Sequence, residues 1–260
     1  MIDGAEFCTA EGQTFLNLNT LEFPVEMELV VAEPALSGKA ANFTIAFQTT
    51  AGKPILPHDL AITHTERLHL LIVDTSLEDY HHVHPEPVGL TGEWSFSITP
   101  QKTGTYRVFA EMAPIRTRKK VIAQTEFRVS DAPDAVMPLK SGKVDGLGEY
   151  QFELNAVPAQ LLTGQDNILT LSIRRVDAEP IELQLVMGAY AHLVAFDESL
   201  SGYAHLHPKY TGREKDPEPQ LTFVFNTDQP GHYKIWAQFK IQGKEIFVPF
   251  EGFVGEAARG

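Results

Sequence analysis

Two stretches decide the reading: His69-Leu-Leu-Ile-Val-Asp74-Thr-Ser-Leu-Glu-Asp-Tyr80-His-His82-Val-His84-Pro85 and His192-Leu-Val-Ala-Phe-Asp197-Glu-Ser-Leu-Ser-Gly-Tyr203-Ala-His205-Leu-His207-Pro208, which align without a gap. Each has a His and, thirteen positions later, His-x-His-Pro. The match extends outward. Gly104-Thr-Tyr106-Arg-Val-Phe-Ala110 corresponds to Gly231-His-Tyr233-Lys-Ile-Trp-Ala237, and Asn42-Phe-Thr-Ile-Ala-Phe47 to Asn167-Ile-Leu-Thr-Leu-Ser-Ile173. Self-similarity over so long a period makes the 260-residue chain one domain taken twice.

The period within each copy is two. Phe43, Ile45 and Phe47 alternate with polar residues, as do Trp94, Phe96 and Ile98, and in the second copy Leu169, Leu171 and Ile173, then Leu221, Phe223 and Phe225. Such alternation marks half-buried strands. About seven short strands per copy, with turn residues between them and no amphipathic helix, predict an all-β chain of two tandem immunoglobulin-like or cupredoxin-like β-sandwiches. The Gly-x-Tyr openings at Gly104 and Gly231 suggest a tyrosine corner, although a strand that simply begins with an aromatic reads the same way. The expected organisation is a leader over 1–24, a first sandwich over 25–131, a Pro-, Gly- and Asp-rich linker over 132–147 and a second sandwich over 148–260.

Composition removes several functions. The formal charge of −13 disfavours nucleic acid as a partner, and the basic group Arg116, Arg118, Lys119 and Lys120 is too short to reverse that. One cysteine, Cys8, forms no intramolecular disulfide, no cysteine-rich zinc site and no blue-copper centre beside a distant histidine cluster. No apolar run approaches the ~20 residues of a transmembrane helix, so no transmembrane segment is expected. The first residues show neither a basic n-region nor an apolar h-region; the expectation is a cytosolic chain or one whose signal was removed. Phosphate loops, nucleophile elbows and His-Glu-x-x-His helices are missing from the sequence, and no carboxylate pair stands out for acid/base work.

What stands out is histidine. A hairpin closed symmetrically over residues 74–79 pairs 69 with 84 and 71 with 82, so His69, His82 and His84 share a face. The same spacing gathers His192, His205 and His207. Neutral imidazole is the commonest metal-ligating side chain, and three of them suit copper or zinc while leaving a fourth position open. The alternative is that these rings cap strand ends or bond to backbone and to Tyr80 and Tyr203. His64 aligns with Met187; both are candidate ligands, and a thioether points towards copper(I), while a turn- or core-filling methionine accounts for Met187 equally well. His58, His81 and His232 have no counterpart and are assigned local roles.

With its Tyr-x-His-x-His-Pro motif after Asp-x-x-Leu and His-Leu, the chain resembles a group of bacterial secreted or periplasmic β-sandwich proteins, some associated with copper or heavy-metal handling. The resemblance implies a periplasmic or extracellular location, the six histidines as ligands, and a metal ion with another envelope protein as partners. Three functions follow as expectations. The first is a non-enzymatic copper- or zinc-binding protein with one three-histidine site per domain, for sequestration, delivery or sensing. The second is an immunoglobulin-like interaction or scaffold module without metal. The third is a metal-dependent hydrolytic enzyme, which needs a deep pocket and a general base beside a trio.

Overall fold

A computed structural model describes residues 14–131, 149–209 and 216–257. The expected linker, 132–147, lies outside the described residues, as do Cys8 and most of the leader. Two compact units result: residues 22–131 form the N-terminal sandwich, and residues 14–21 join 149–257 in the C-terminal one. Among the described residues no helix is long and apolar enough to cross a membrane.

The N-terminal sandwich contains β2 (Val25–Val31), β3 (Ala35–Leu36), β4 (Ala41–Thr49), β5 (Leu68–Asp74), β6 (Tyr80–Val83), β7 (Glu86–Pro87), β8 (Glu93–Ile98), β9 (Gly104–Met112) and β10 (Val121–Ser130). One sheet has the order β2-β4-β8-β7 and the other β3-β10-β9-β5-β6. All pairings are antiparallel except the short β3, which lies parallel to β10.

The C-terminal sandwich repeats the plan with β11 (Tyr150–Val157), β12 (Leu161–Leu162), β13 (Asn167–Arg175), β14 (Leu183–Gln184), β15 (Ala191–Asp197), β16 (Gly202–Leu206), β17 (Gln220–Phe225), β18 (Gly231–Ile241) and β19 (Lys244–Gly255). Its sheets run β11-β13-β17 and β16-β15-β18-β19-β12, with β14 on β18. Each unit has seven strands of four residues or more, as the alternation predicts. Two face-to-face antiparallel sheets with this order make each unit an immunoglobulin-like β-sandwich.

The alternating residues form the cores. Phe43 stacks on Phe96 at 4.9 Å and meets Phe127 at 4.7 Å, over a buried Ile45 and Trp94. Leu171, Phe223, Phe225 and Phe239 fill the second core. The tyrosine corner is real in both. Tyr106 Oη donates to the Asp79 carboxylate and accepts from Lys102 N at 3.0 Å; Tyr233 Oη donates to the carbonyl of Gln229 at 3.0 Å, four residues upstream as in the first copy.

Residues 14–18, expected only to precede or wrap a domain, are built into the C-terminal sandwich. Strand β1 (Leu16–Asn17) pairs with β16, extending that sheet by one strand, and the Phe15 ring stands edge-on to Tyr233 at 5.5 Å.

Candidate metal centres

The hairpins that carry the histidines follow the symmetric register. Leu71 pairs with His82 and Val73 with Tyr80, which sets His69 level with His84; Val194 pairs with His205, which sets His192 level with His207. Each turn is tied by the aspartate that ends the first strand. Asp74 accepts from the amides of Ser76, Glu78 and Asp79, and Asp197 from that of Gly202. These local bonds fix the loop length, and the loop length fixes which residues face one another.

Alternation then divides the strand faces. Leu68, Leu70 and Ile72 enter the N-terminal core, so His69, Leu71 and Val73 point to the other face of β5. That face is buried too: every residue of β5 and of β15 is buried. The half-burial expected for the alternating strands is seen in β4, β8 and β17, whereas β5 and β15, whose sequences do not alternate, are buried on both faces. His69 is 2% exposed, His82 2%, His192 1% and His205 3%.

In the first centre the His69 ring lies 4.4 Å from that of His84 and 5.9 Å from that of His82, and His82 and His84 are 5.5 Å apart. One nitrogen from each ring falls within 4.8 Å of the others. In the second centre the separations are 5.4 Å for His192 and His205 and 4.8 Å for His207 with either. The three rings thus cluster in both predicted trios, and in the first the ligating nitrogens come together as well.

A shared hydrogen-bond pattern orients them. His69 Nε2 stands 2.9 Å from the carbonyl oxygen of Thr63, and His192 Nε2 stands 3.1 Å from that of Val186. A carbonyl has no proton to give, so Nε2–H is the donor and Nδ1 keeps its lone pair facing the trio. That lone pair accepts from His84 Nε2 at 2.9 Å in the first centre and from His205 Nε2 at 3.1 Å in the second. A ring held from behind by a carbonyl, with its other nitrogen inward, is the orientation that metal-ligating histidines commonly show. Three nitrogens bound at ~2.0–2.1 Å to one tetrahedral ion stand on the order of 3.4 Å apart, so small ring rotations bring the first trio, with its nitrogens within 4.8 Å, to that spacing. A donor set of three imidazoles, as His69, His82 and His84 offer, is of the kind that suits copper or zinc.

The accepting carbonyls belong to matching turns. Thr63 and Glu66 exchange backbone hydrogen bonds of 2.7 and 3.1 Å, and Val186 and Ala189 exchange bonds of 2.8 and 3.1 Å. His64 and Thr65 have φ of 48° and 78°, and Met187 and Gly188 have 51° and 81°. Two successive left-handed residues make both connections type I′ turns. His64 and Met187 thus occupy one structural position, each half-buried, and the His64 ring lies 6.2 Å from that of His69.

Pairing across the sheet adds neighbours that sequence spacing does not reveal. His69 is level with Glu111 on β9 and His192 with Gln238 on β18. Glu111 is buried and forms an ion pair of 3.0 Å with Lys120, whereas Gln238 donates to Glu245 at 3.2 Å. Burial pushes the Tyr80 phenol well above its ordinary value, and the Glu111 charge adds to the rise. The unmatched histidines have local roles as expected: His81 bonds to Asp79 at 3.2 Å, His58 sits in a single 3-10 turn, and His232 packs on Phe253 at 5.0 Å.

Residues 24–131 and 142–255 each match one protein family, described as domain of unknown function (DUF8832). The chain belongs to this family. Each DUF8832 segment carries one trio and one tyrosine corner. No curated protein matches the chain significantly. Among solved structures the chain is similar to the fibronectin(III)-like modules of Clostridium thermocellum CbhA, at 10% identity over 88% of this chain and 95% of that one, with a TM-score of 0.23. It is also similar to invasin, a bacterial integrin-binding protein, at 12% identity over 86% and 39%, with a TM-score of 0.27. Scores this low carry no inference about the DUF8832 chain, whose sandwich class rests on its own strand order.

Proposed function

We propose that this protein is a non-enzymatic transition-metal binder of the bacterial cell envelope, holding copper or zinc at one three-histidine site per domain, for sequestration, delivery or sensing. The observation that carries the reading is the lock on His69 and His192: the same backbone carbonyl position in each copy holds Nε2–H, leaving Nδ1 directed at a second imidazole of its trio, His84 in the first and His205 in the second. Burial of His69, His82, His192 and His205 supports binding over hydrolysis, because a catalytic metal needs an open coordination position for water and substrate. The envelope assignment rests on the resemblance of the Tyr-x-His-x-His-Pro motif, and a second envelope protein is the expected partner.

One observation favours a second reading, a metal-free interaction or scaffold module. His69 has both ring nitrogens hydrogen-bonded within the protein, as does His192, so the network is satisfied for these rings without an ion. Metal analysis after mild loading separates the two. The proposal expects close to two ions per chain in the intact protein and one in either His82→Ala or His205→Ala. A stoichiometry near zero that neither substitution changes leaves the scaffold reading.

A further inference from the structure

The lead histidine of each trio, His69 or His192, has a neighbour on the strand opposite its hairpin. His69 pairs with Glu111 on β9, and His192 pairs with Gln238 on β18. Level partners on adjacent antiparallel strands project to one side of the sheet with Cβ atoms about 4.5–5.5 Å apart, so Glu111 and Gln238 stand on the buried faces that carry the trios. Both are held from the far side. Glu111 pairs with Ile122 and accepts from the Lys120 ammonium, two residues before Ile122, at 3.0 Å; Gln238 pairs with Phe247 and donates to Glu245, two residues before Phe247, at 3.2 Å. The same two places thus hold a buried carboxylate with an outer cation in the first copy, and a buried amide with an outer carboxylate in the second.

Folding alone does not call for the charge. Gln238, 1% exposed, fills this place in the second sandwich with a neutral side chain of the same size, and a buried ion pair is commonly no more stabilising than neutral packing. The Glu111 charge also acts where the histidines are. Tyr80, His82 and His84 alternate onto one side of β6, and Glu111, two strands away, adds to the upward shift of the Tyr80 phenol. Lys120 offsets this charge only in part: its side chain is 29% exposed against 8% for Glu111, so water screens the cation more than the carboxylate. A buried negative charge beside three neutral imidazoles favours occupation of their centre by a cation, and a doubly charged one most.

Resting on the reading that the trios hold metal, we propose that Glu111 is the affinity-determining residue of the first centre: its buried charge makes that centre the tight site for a divalent cation, while the second, facing the neutral Gln238, is the weak one. Glu111 acts through its field at the trio and not as a ligand. The N-terminal sandwich then fills first, and the C-terminal sandwich is the first to give its ion up.

The test measures zinc binding to the full chain against a competing chelator, with one centre removed at a time: His207→Ala leaves the first to be read, and His84→Ala the second. The first should bind zinc more tightly. Adding Glu111→Gln to the His207→Ala chain should lower its affinity by about tenfold or more, the range that changing a neighbour of a metal ligand commonly produces, and Glu111→Asp should retain most of it. Transplanting the pair, as Gln238→Glu with Glu245→Lys in the His84→Ala chain, should raise the affinity of the second centre by a similar factor, a gain that a merely structural role for Glu111 does not give. Equal affinities of the two centres, or an unchanged first centre in Glu111→Gln, overturn the ranking while the trios remain metal sites. Should Glu111→Gln fail to fold, an unraised affinity in the transplanted chain overturns it instead. If the intact chain takes up no zinc, the metal reading itself fails.

Discussion

Gly202 lies against the main chain of Leu16 so closely that a Cβ on it would fall 1.7 Å from the Leu16 carbonyl oxygen and 2.8 Å from its carbonyl carbon. The obstacle is backbone on both sides, so no side-chain rotation relieves it. Gly202→Ala should expel β1 and cost the C-terminal sandwich about 1–3 kcal/mol, the usual range for overpacking. Hydrogen exchange reads this directly: the amides of Phe15 and Leu18, bonded to Asn226 O at 2.7 Å and Ser201 O at 2.8 Å, should lose protection. Unchanged protection at these two amides would contradict the docking of residues 14–18.

The aligned position in the first copy is Asp79, and its carboxylate takes the space differently. It accepts from Tyr106 Oη, from Gln101 N at 2.6 Å and from His81 Nε2 at 3.2 Å. Tyr106→Phe therefore removes a donor to a buried charge, worth about 1.5–3 kcal/mol, whereas Tyr233→Phe removes bonds to neutral groups, about 0.5–1.5 kcal/mol. Chemical denaturation of the single variants, with Asp79→Asn and the Tyr106→Phe/Asp79→Asn pair, should show a double loss smaller than the sum of the singles.

Stability against pH follows from the same groups. Burial by itself raises the Asp79 carboxyl, but the hydrogen bond and charge of His81, then Tyr106 and the Gln101 amide, more than offset it, so its pKa lies below the ordinary 3.8. A depressed folded-state value means stabilisation that is complete above 3.8 and lost as pH falls towards the folded value. At the alkaline end burial pushes the Tyr233 phenol up to about 12, and the Tyr106 phenol higher still with help from Asp79. Their contribution is complete below 10 and lost as pH rises from 10 through the folded values. Denaturation midpoints across both limits should show these slopes; Asp79→Asn should flatten the acid one, and an unchanged acid slope in that variant would count against the assignment.

Thr65 supplies the fourth test. A β-branched residue at φ of 78° is strained, and Gly188 occupies the same place in the second turn without strain. Thr65→Gly should raise stability by up to about 1 kcal/mol, and Gly188→Thr should lower it by about 1–2 kcal/mol. Opposite signs in thermal unfolding are the expected outcome.

Much of this was legible from local pattern. The fixed spacing from His69 to His84 and from His192 to His207 is a hairpin length, and hairpin length sets register, so both trios could be read before any coordinates. Alternation along β4, β8, β13 and β17 marks half-buried strands for the same local reason. What stayed hidden depends on partners distant in sequence. Glu111 reaches the level of His69 through β5–β9 pairing, and no short-range spacing encodes that. Leu-His-Leu-Leu-Ile-Val-Asp has no alternation to reveal which of its two buried faces is the core. The docking of β1 leaves no motif, because it depends on a missing side chain at Gly202 and on backbone hydrogen bonds that any sequence could make.

On the proposed metal reading, the hydrogen bonds of the lead histidines also govern how an ion would be taken up. His69 and His192 already hold the tautomer that coordination at Nδ1 requires, so they can engage without exchanging a proton. His84 and His205 point a proton at those same nitrogens, and each would have to turn away or move that proton to its other nitrogen before an ion could take its place. Arrival would then be gated by His84 or His205, because the lead nitrogen opens to an ion only when that proton withdraws, which makes the rate of loading a property of the histidine hairpin and not of the turn behind it.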